Sequence, residues 1–184
     1  MTLPKLAAAR EGRWHSLVYV DIPRTRALVE VASKLCAGDA DQAHCSVSRP
    51  FALFTHQVDA FVERLRTELR LCRPFVLSVL AETVELRNDG DHRVFKALRV
   101  PASRGLVNLV AAVDRTLEAF GRDPYFDQPV FHVTVAIDHD DTPPTKRAKT
   151  DEIDDLDDDA GDLSFDVTYV VCKCGHRHFQ LELL

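Results

Sequence analysis

The sequence predicts an α+β protein made of two pseudo-symmetric lobes whose antiparallel sheets flank a central cleft. Two observations carry that prediction. Short aliphatic or β-branched runs alternate with segments of helical apolar spacing along a chain of 184 residues, a length that suits one domain. Two tetrapeptides then share one pattern, His44-Cys45-Ser46-Val47 and His132-Val133-Thr134-Val135, so each half of the chain places one histidine strand toward a shared cleft.

The elements follow in order. Residues 16–22 form the first strand, where Leu17, Val18, Tyr19 and Val20 run up to the stop at Pro23. A helix over 25–37 puts Leu28, Val31, Ala32 and Leu35 on one face, and Gly38 ends it. The first histidine strand spans 43–48 and closes at Arg49-Pro50. Thr55 is a candidate N-cap for a second helix, in which Val58, Phe61, Val62, Leu65 and Leu69 recur at helical spacing. Strands are expected at 75–80, 83–88 and 94–100, the last two joined by a turn at Asn88-Asp89-Gly90-Asp91. A third helix over 103–120 buries Leu106, Leu109, Val110, Val113, Leu117 and Phe120, and the second histidine strand covers 130–137. Residues 163–172 and 178–183 read as a closing hairpin. Between them and the second histidine strand, residues 138–162 lack apolar periodicity, contain Pro143-Pro144 and an acidic block, and are expected to be a disordered loop inside a single domain spanning 1–184.

In an extended strand, residues i and i+2 point to the same face. Each tetrapeptide therefore presents an imidazole beside a hydroxyl and turns Cys45 and Val47, or Val133 and Val135, toward a core. Two such strands facing each other supply two imidazoles and two hydroxyl donors around one phosphate. RNA cleavage by its own 2′-OH needs that set: a neutral imidazole to take the proton, a protonated one to give a proton to the leaving 5′ oxygen, and donors on the phosphoryl oxygens. The remaining histidines, His15, His56, His92, His139, His176 and His178, lack a partnered hydroxyl in a strand and receive no catalytic role.

Composition narrows the class. Hydrophobic residues make up 46% of the chain, yet no apolar run approaches the roughly 20 residues of a membrane span, and the N-terminal segment lacks a signal-peptide core. A soluble protein that is not secreted and has no membrane partner is expected. The five cysteines lack paired C-x-x-C spacing, so free thiols are the default. The run Cys172-Lys173-Cys174-Gly175-His176-Arg177-His178 could suggest a metal site. Strand alternation, however, puts Cys172 and Cys174 on one face, and Cys174-Gly175-His176-Arg177 reads as a tight turn, so no metal and no other cofactor is expected. The net charge of −6 is concentrated: residues 138–162 hold eleven acids and three bases, leaving 20 basic and 18 acidic residues elsewhere. A slightly basic body is compatible with RNA without predicting it.

Longer stretches carry a more specific likeness. Gly12-Arg13-Trp14-His15-Ser16-Leu17-Val18-Tyr19-Val20, A-H-C-S-V-S-R-P around His44, F-K-A-L-R-V, V-D-R-T-L-E-A-F, Y-F-D-Q-P-V-F-H-V-T-V-A around His132, and V-V-C-K-C-G-H-R-H-F near the C-terminus resemble the U6 small nuclear RNA phosphodiesterase family of the 2H phosphoesterase superfamily. The likeness runs from about residue 12 to the end; Thr134 stands where the family usually has serine, Arg13 where it has asparagine, and the acidic insertion is peculiar to this chain. Threonine keeps the hydroxyl and suits a strand.

The resemblance implies a 2H phosphoesterase fold and a metal-independent 3′ to 5′ exoribonuclease. Such an enzyme trims the uridine- or adenosine-containing tail at the 3′ end of U6 small nuclear RNA and leaves a 2′,3′-cyclic phosphate. His44 and His132 would be the acid and base, with His132 favoured as base; Ser46 and Thr134 would bind the phosphoryl oxygens, and Tyr125 or Phe126 would stack on the terminal base. DNA, lacking the 2′-OH, is expected to be inert, and a monomer is expected. Pro143-Pro144-Thr145-Lys146-Arg147-Ala148-Lys149 resembles a nuclear-import signal, which with such a substrate implies a nuclear address. The alternatives are a 2H phosphodiesterase acting on 2′,3′-cyclic nucleotides or 2′-5′ oligonucleotides, and an inactive RNA-binding relative.

Overall fold

The computed structural model describes residues 12–36, 43–87, 93–139 and 162–184. The expected turn at 88–91, His92 and most of the acidic segment with its basic run lie outside the described residues. The elements are β1 (Arg13–Asp21), α1 (Arg26–Cys36), β2 (His44–Ser46), β3 (Phe51–Phe54), α2 (Val58–Leu69), β4 (Phe75–Val79), β5 (Thr83–Arg87), β6 (Arg93–Arg99), α3 (Arg104–Ala119), β7 (His132–His139), β8 (Leu163–Val167), β9 (Tyr169–Cys174) and β10 (Arg177–Glu182).

Eight strands form one sheet in the order β10-β9-β1-β2-β7-β6-β5, with β3 also paired to β1. Every pairing in it is antiparallel. The sheet has two halves, β10-β9-β1 with β2 and β3 on one side and β7-β6-β5 on the other. They meet where Cys45 of β2 faces Val133 of β7. Strand alternation gives this sheet one apolar face: Val18, Cys45, Leu98, Val133, Cys172 and Cys174 are each fully buried. Helix α1 packs near β7, and α2 packs on α3 and β10.

The helices show why these residues fold as they do. Thr25 accepts a bond from the Leu28 amide through its hydroxyl (3.1 Å), and Ser103 does the same for Leu106 (3.2 Å), so each polar side chain satisfies an amide left open in the first turn. Phe61 of α2 is fully buried, its ring 5.1 Å from that of Phe51 and 5.2 Å from that of Phe120. Between α2 and α3, Glu68 binds Arg115 at 2.8 Å, and the Arg115 hydrogen bond holds the Glu68 carboxyl below the usual range against the opposing effect of burial.

Several expectations change. Thr55 is not the N-cap: its hydroxyl accepts from Trp14 Nε1 (2.9 Å) and donates to the Gly12 carbonyl (3.3 Å), while α2 begins at Val58 after a single 3₁₀ turn. Strand β3, unanticipated, pairs Phe51 through Phe54 with Ser16 through Arg13. The strand expected over 163–172 breaks at Thr168, because Leu163–Val167 pairs with β4 in a separate two-stranded sheet and Tyr169–Cys174 joins β1 and β10. The second histidine strand reaches His139, two residues into the segment expected to be loop.

The β9–β10 hairpin turns at Gly175, whose φ of +60° favours glycine and where a Cβ would collide with the Trp14 ring. Cys172 and Cys174 lie side by side in the core with sulfurs 3.8 Å apart, whereas His176 and His178 are exposed, so the four do not converge. Gly175→Ala is expected to destabilise the protein by about 1–3 kcal/mol, as the cost of a strained backbone conformation together with displacement of Trp14; urea unfolding checks this.

Candidate active site

The antiparallel register around Cys45 and Val133 decides which polar side chains meet. Sliding one residue either way places His44 across from Thr134 and Ser46 across from His132. Cys45 and Val133 are fully buried, and all four polar residues are partly buried on the opposite face. Directly opposite side chains in such a pair stand about 5 Å apart at Cβ, and diagonal positions about 7–8 Å. The two histidines occupy one diagonal and the two hydroxyls the other.

The two imidazoles have different surroundings. His132 Nδ1 lies 2.8 Å from the Val130 carbonyl oxygen. A carbonyl only accepts, so Nδ1 carries the hydrogen and Nε2 keeps its lone pair. Burial lowers the His132 pKa below the ordinary histidine value; the Val130 hydrogen bond opposes this, and the nearby His44 charge adds to the lowering. His44 lies instead against the Tyr19 ring, with centroids 5.0 Å apart. Tyr19 sits across from Ser46 on β1, and its hydroxyl is held above the usual phenol range mainly by burial, then by Asp21, so it remains a donor at neutral pH. The sequence assigns Tyr19 no role, because its signals there, membership of the aliphatic run of β1 and of the first stretch of family likeness, mark a strand and not a site.

The loop before β7 is pinned to the first histidine strand. Tyr125 donates from its hydroxyl to the Ser46 carbonyl (3.1 Å), and its amide donates to Asp114 Oδ1 of α3 (2.7 Å). Its ring stacks on Phe131 at 5.7 Å and is 6% exposed. Tyr125 is thus a correction to the expected pair of stacking candidates: a buried ring occupied by protein has no face for a base. Phe126 is only partly buried, edge-on to Tyr125, with the Arg49 guanidinium 4.2 Å from its ring centre. Among the described residues no group of three or more His, Cys, Asp or Glu could hold a metal ion.

An imidazole held toward its neutral form with Nε2 as its acceptor nitrogen, a second imidazole on the same diagonal and two hydroxyls on the other form an arrangement for acid–base chemistry at a phosphodiester. With the sheet architecture, it defines a protein of the 2H phosphoesterase fold. The same fold occurs in Usb1 of Kluyveromyces marxianus (TM-score 0.63, 14% identity, 92% of this chain and 98% of that one) and in LigT of E. coli (TM-score 0.54, 15% identity, 92% and 95%). The chain belongs to the HVSL family, described as an uncharacterised conserved protein, whose model matches residues 5–182. It is also similar to proteins named U6 snRNA phosphodiesterase 1, at 25% identity in Xenopus laevis (94% of this chain, 75% of the relative) and 26% in Danio rerio (94% and 67%). The resemblance carried by the motifs is thereby borne out.

His132 is expected to titrate below about 6.5, the ordinary histidine value, when followed by NMR of its ring protons. Replacing His44 by alanine removes a neighbouring cation that opposes protonation, so the His132 midpoint should rise. A midpoint unchanged in His44→Ala would mean that the two rings do not share one field.

Proposed function

We propose that this chain is a 3′ to 5′ exoribonuclease of the U6 snRNA phosphodiesterase kind, trimming the oligo(U) or adenosine-bearing tail of U6 small nuclear RNA and leaving a 2′,3′-cyclic phosphate. The observation that carries the proposal is the pair of unlike imidazoles on adjacent strands, one of them with Nδ1 committed to the Val130 carbonyl. The relatives' name and the solved structure of K. marxianus Usb1 with uridine monophosphate support an RNA 3′ end as substrate.

In this scheme His132 Nε2 takes the proton from the 2′-OH of the penultimate nucleotide. The 2′ oxygen attacks the adjacent phosphorus, and the bond to the 5′ oxygen of the terminal nucleoside breaks as protonated His44 donates to it. Ser46 and Thr134 hold the phosphoryl oxygens while negative charge builds. The products are a shortened RNA ending in a cyclic phosphate and a free nucleoside, so the first step is a transesterification of the lyase type. No metal takes part in these steps, and DNA lacks the nucleophile. A monomer suffices, since one chain supplies both histidines. Nuclear location and service to messenger RNA splicing follow from the substrate, with the basic run at 143–149 as the address.

Incubation of a 3′-hydroxylated oligo(U) RNA in EDTA should give stepwise shortening that leaves a phosphatase-resistant end, and a 2′-deoxy oligonucleotide should stay intact. His44→Ala and His132→Ala should each lower the rate by about 10²- to 10⁴-fold, the range for losing a general acid or base. Unshortened RNA with turnover of a 2′,3′-cyclic nucleotide would assign a small-substrate phosphodiesterase instead, and no turnover of either would leave an RNA-binding scaffold.

In the same assay Ser46→Ala or Thr134→Ala should cost about 10²- to 10³-fold in kcat, as for loss of one donor to a developing oxyanion. The rate should also hold to lower pH than an ordinary histidine base allows, because the base is His132, whose pKa is depressed by burial.

A further inference from the structure

Strand alternation divides the side chains of β1 between two faces. Ser16, Val18 and Val20 are buried in the core, so Arg13, His15, Leu17, Tyr19 and Asp21 share the face that carries the site, with Tyr19 across from Ser46 and Asp21 across from His44. The neighbouring strands extend that face. On β9 and β10 the burial of Cys172, Cys174 and Leu181 leaves Tyr169, Lys173, His178 and Glu182 on the side of Tyr19, and Lys173 stands between Leu17 on one strand and His178 on the other.

Charge is unevenly spread over this face. On the side of His44 it is acidic: Asp21 accepts a hydrogen bond from the Tyr169 hydroxyl, and Glu182 stands opposite Tyr169. On the side of Ser46 it is basic: Lys173 and His178 lie level with Leu17, His15 follows, and Arg13 begins the strand, all four of them exposed. The Arg13 guanidinium lies 5.0 Å from the centre of the Phe54 ring, which faces it from β3. Among the described residues neither Arg13 nor Lys173 forms an ion pair, whereas Arg26, Arg64, Arg66, Arg99, Arg115 and Arg177 each have a carboxylate partner. An aromatic ring orients a guanidinium without neutralising it, so the charge of Arg13 stays available to a ligand.

We propose that this basic end seats the phosphates of the RNA chain upstream of the cleaved bond, which leaves the site past Ser46 and runs along β1 toward Arg13. The inference rests on the RNA reading above and deepens it by giving the strand a direction. A chain of phosphates is attracted over one end of the face and repelled by Asp21 and Glu182 at the other. From Tyr19 to Arg13 the strand covers roughly 20 Å, room for several nucleotides. Arg13 can offer two parallel N–H donors to one phosphate, and Lys173 adds a point charge. Contacts of this kind position a nucleic acid without reading its bases, so the track accepts any upstream sequence.

The test uses two uncleavable probes, 5′-labelled oligo(U) RNAs of three and nine nucleotides with a 2′-deoxy penultimate residue, with Kd read by fluorescence anisotropy over a salt series. Wild type should bind the longer probe about 10-fold more tightly at low salt. Arg13→Gln and Lys173→Gln should each weaken the longer probe by about 3- to 10-fold and reduce the slope of log K against log salt by about 0.7, the share of one phosphate contact on a single strand. Both variants should bind the shorter probe as wild type does. Arg26→Gln, which removes the same charge from α1 and not from this face, should change neither Kd nor slope. Equal affinity of wild type for the two probes overturns the inference. So does a loss in Arg13→Gln and Lys173→Gln that falls on both probes alike, or an effect of Arg26→Gln as large as theirs. Cleavage separates the two readings: a protein with this length and charge dependence that trims no RNA keeps the track and loses the exonuclease. One that trims RNA while both variants bind each probe as wild type does loses the track alone.

Discussion

The antiparallel meeting of β2 and β7 is the constraint on which the rest of this structure depends. Cys45 and Val133 are small and wholly buried, and they bring the two halves of the sheet together at the place where the histidines stand. A strand has a side-chain period of two, so a slip of one residue would turn His44 and Ser46 into the core and Cys45 into the cleft. The burial of Cys45, Val47, Val133 and Val135 resists that slip, and the hydrophobic core thereby sets the register of the polar site.

One motif occurs twice, and its two copies differ in character because their surroundings differ. His132 follows a loop whose Val130 carbonyl claims Nδ1, and burial holds it toward the neutral form. His44 begins its strand beside the Tyr19 ring. Environments that push two titratable groups apart are how acid and base roles divide between chemically identical side chains. The asymmetry also reaches into the helical layer. Asp114 of α3 holds the Tyr125 amide, and the Tyr125 hydroxyl holds the carbonyl of Ser46, so a helix on the apolar side of the sheet helps to place a residue on the polar side.

Much of this was legible in the chain. Alternation and helical spacing located the three helices and both histidine strands to within a few residues, because burial on one face imposes a period that sequence records directly. The paired His-x-hydroxyl tetrapeptides were legible for the same reason. Thr55 shows where local reasoning stops: it has the chemistry of an N-cap, yet Trp14, 41 positions away, claims its hydroxyl. The segment 163–172 has one continuous apolar pattern and still divides between two sheets, since pairing partners are chosen by distant strands. Tyr125 and Phe126 are adjacent and both aromatic, and nothing local says which one the core will take.

The sequence by itself determined the α+β class, the two histidines, the two hydroxyls and the faces on which they lie, all of which follow from side-chain chemistry and the period of a strand. Only the tertiary structure decided that His44 stands opposite Thr134 and Ser46 opposite His132, that Tyr19 joins them, and that Arg49 backs Phe126. Those relations cross 25 to 90 positions of chain. They depend on register and packing between segments that share no local signal, and three-dimensional burial is the physical term that selects them.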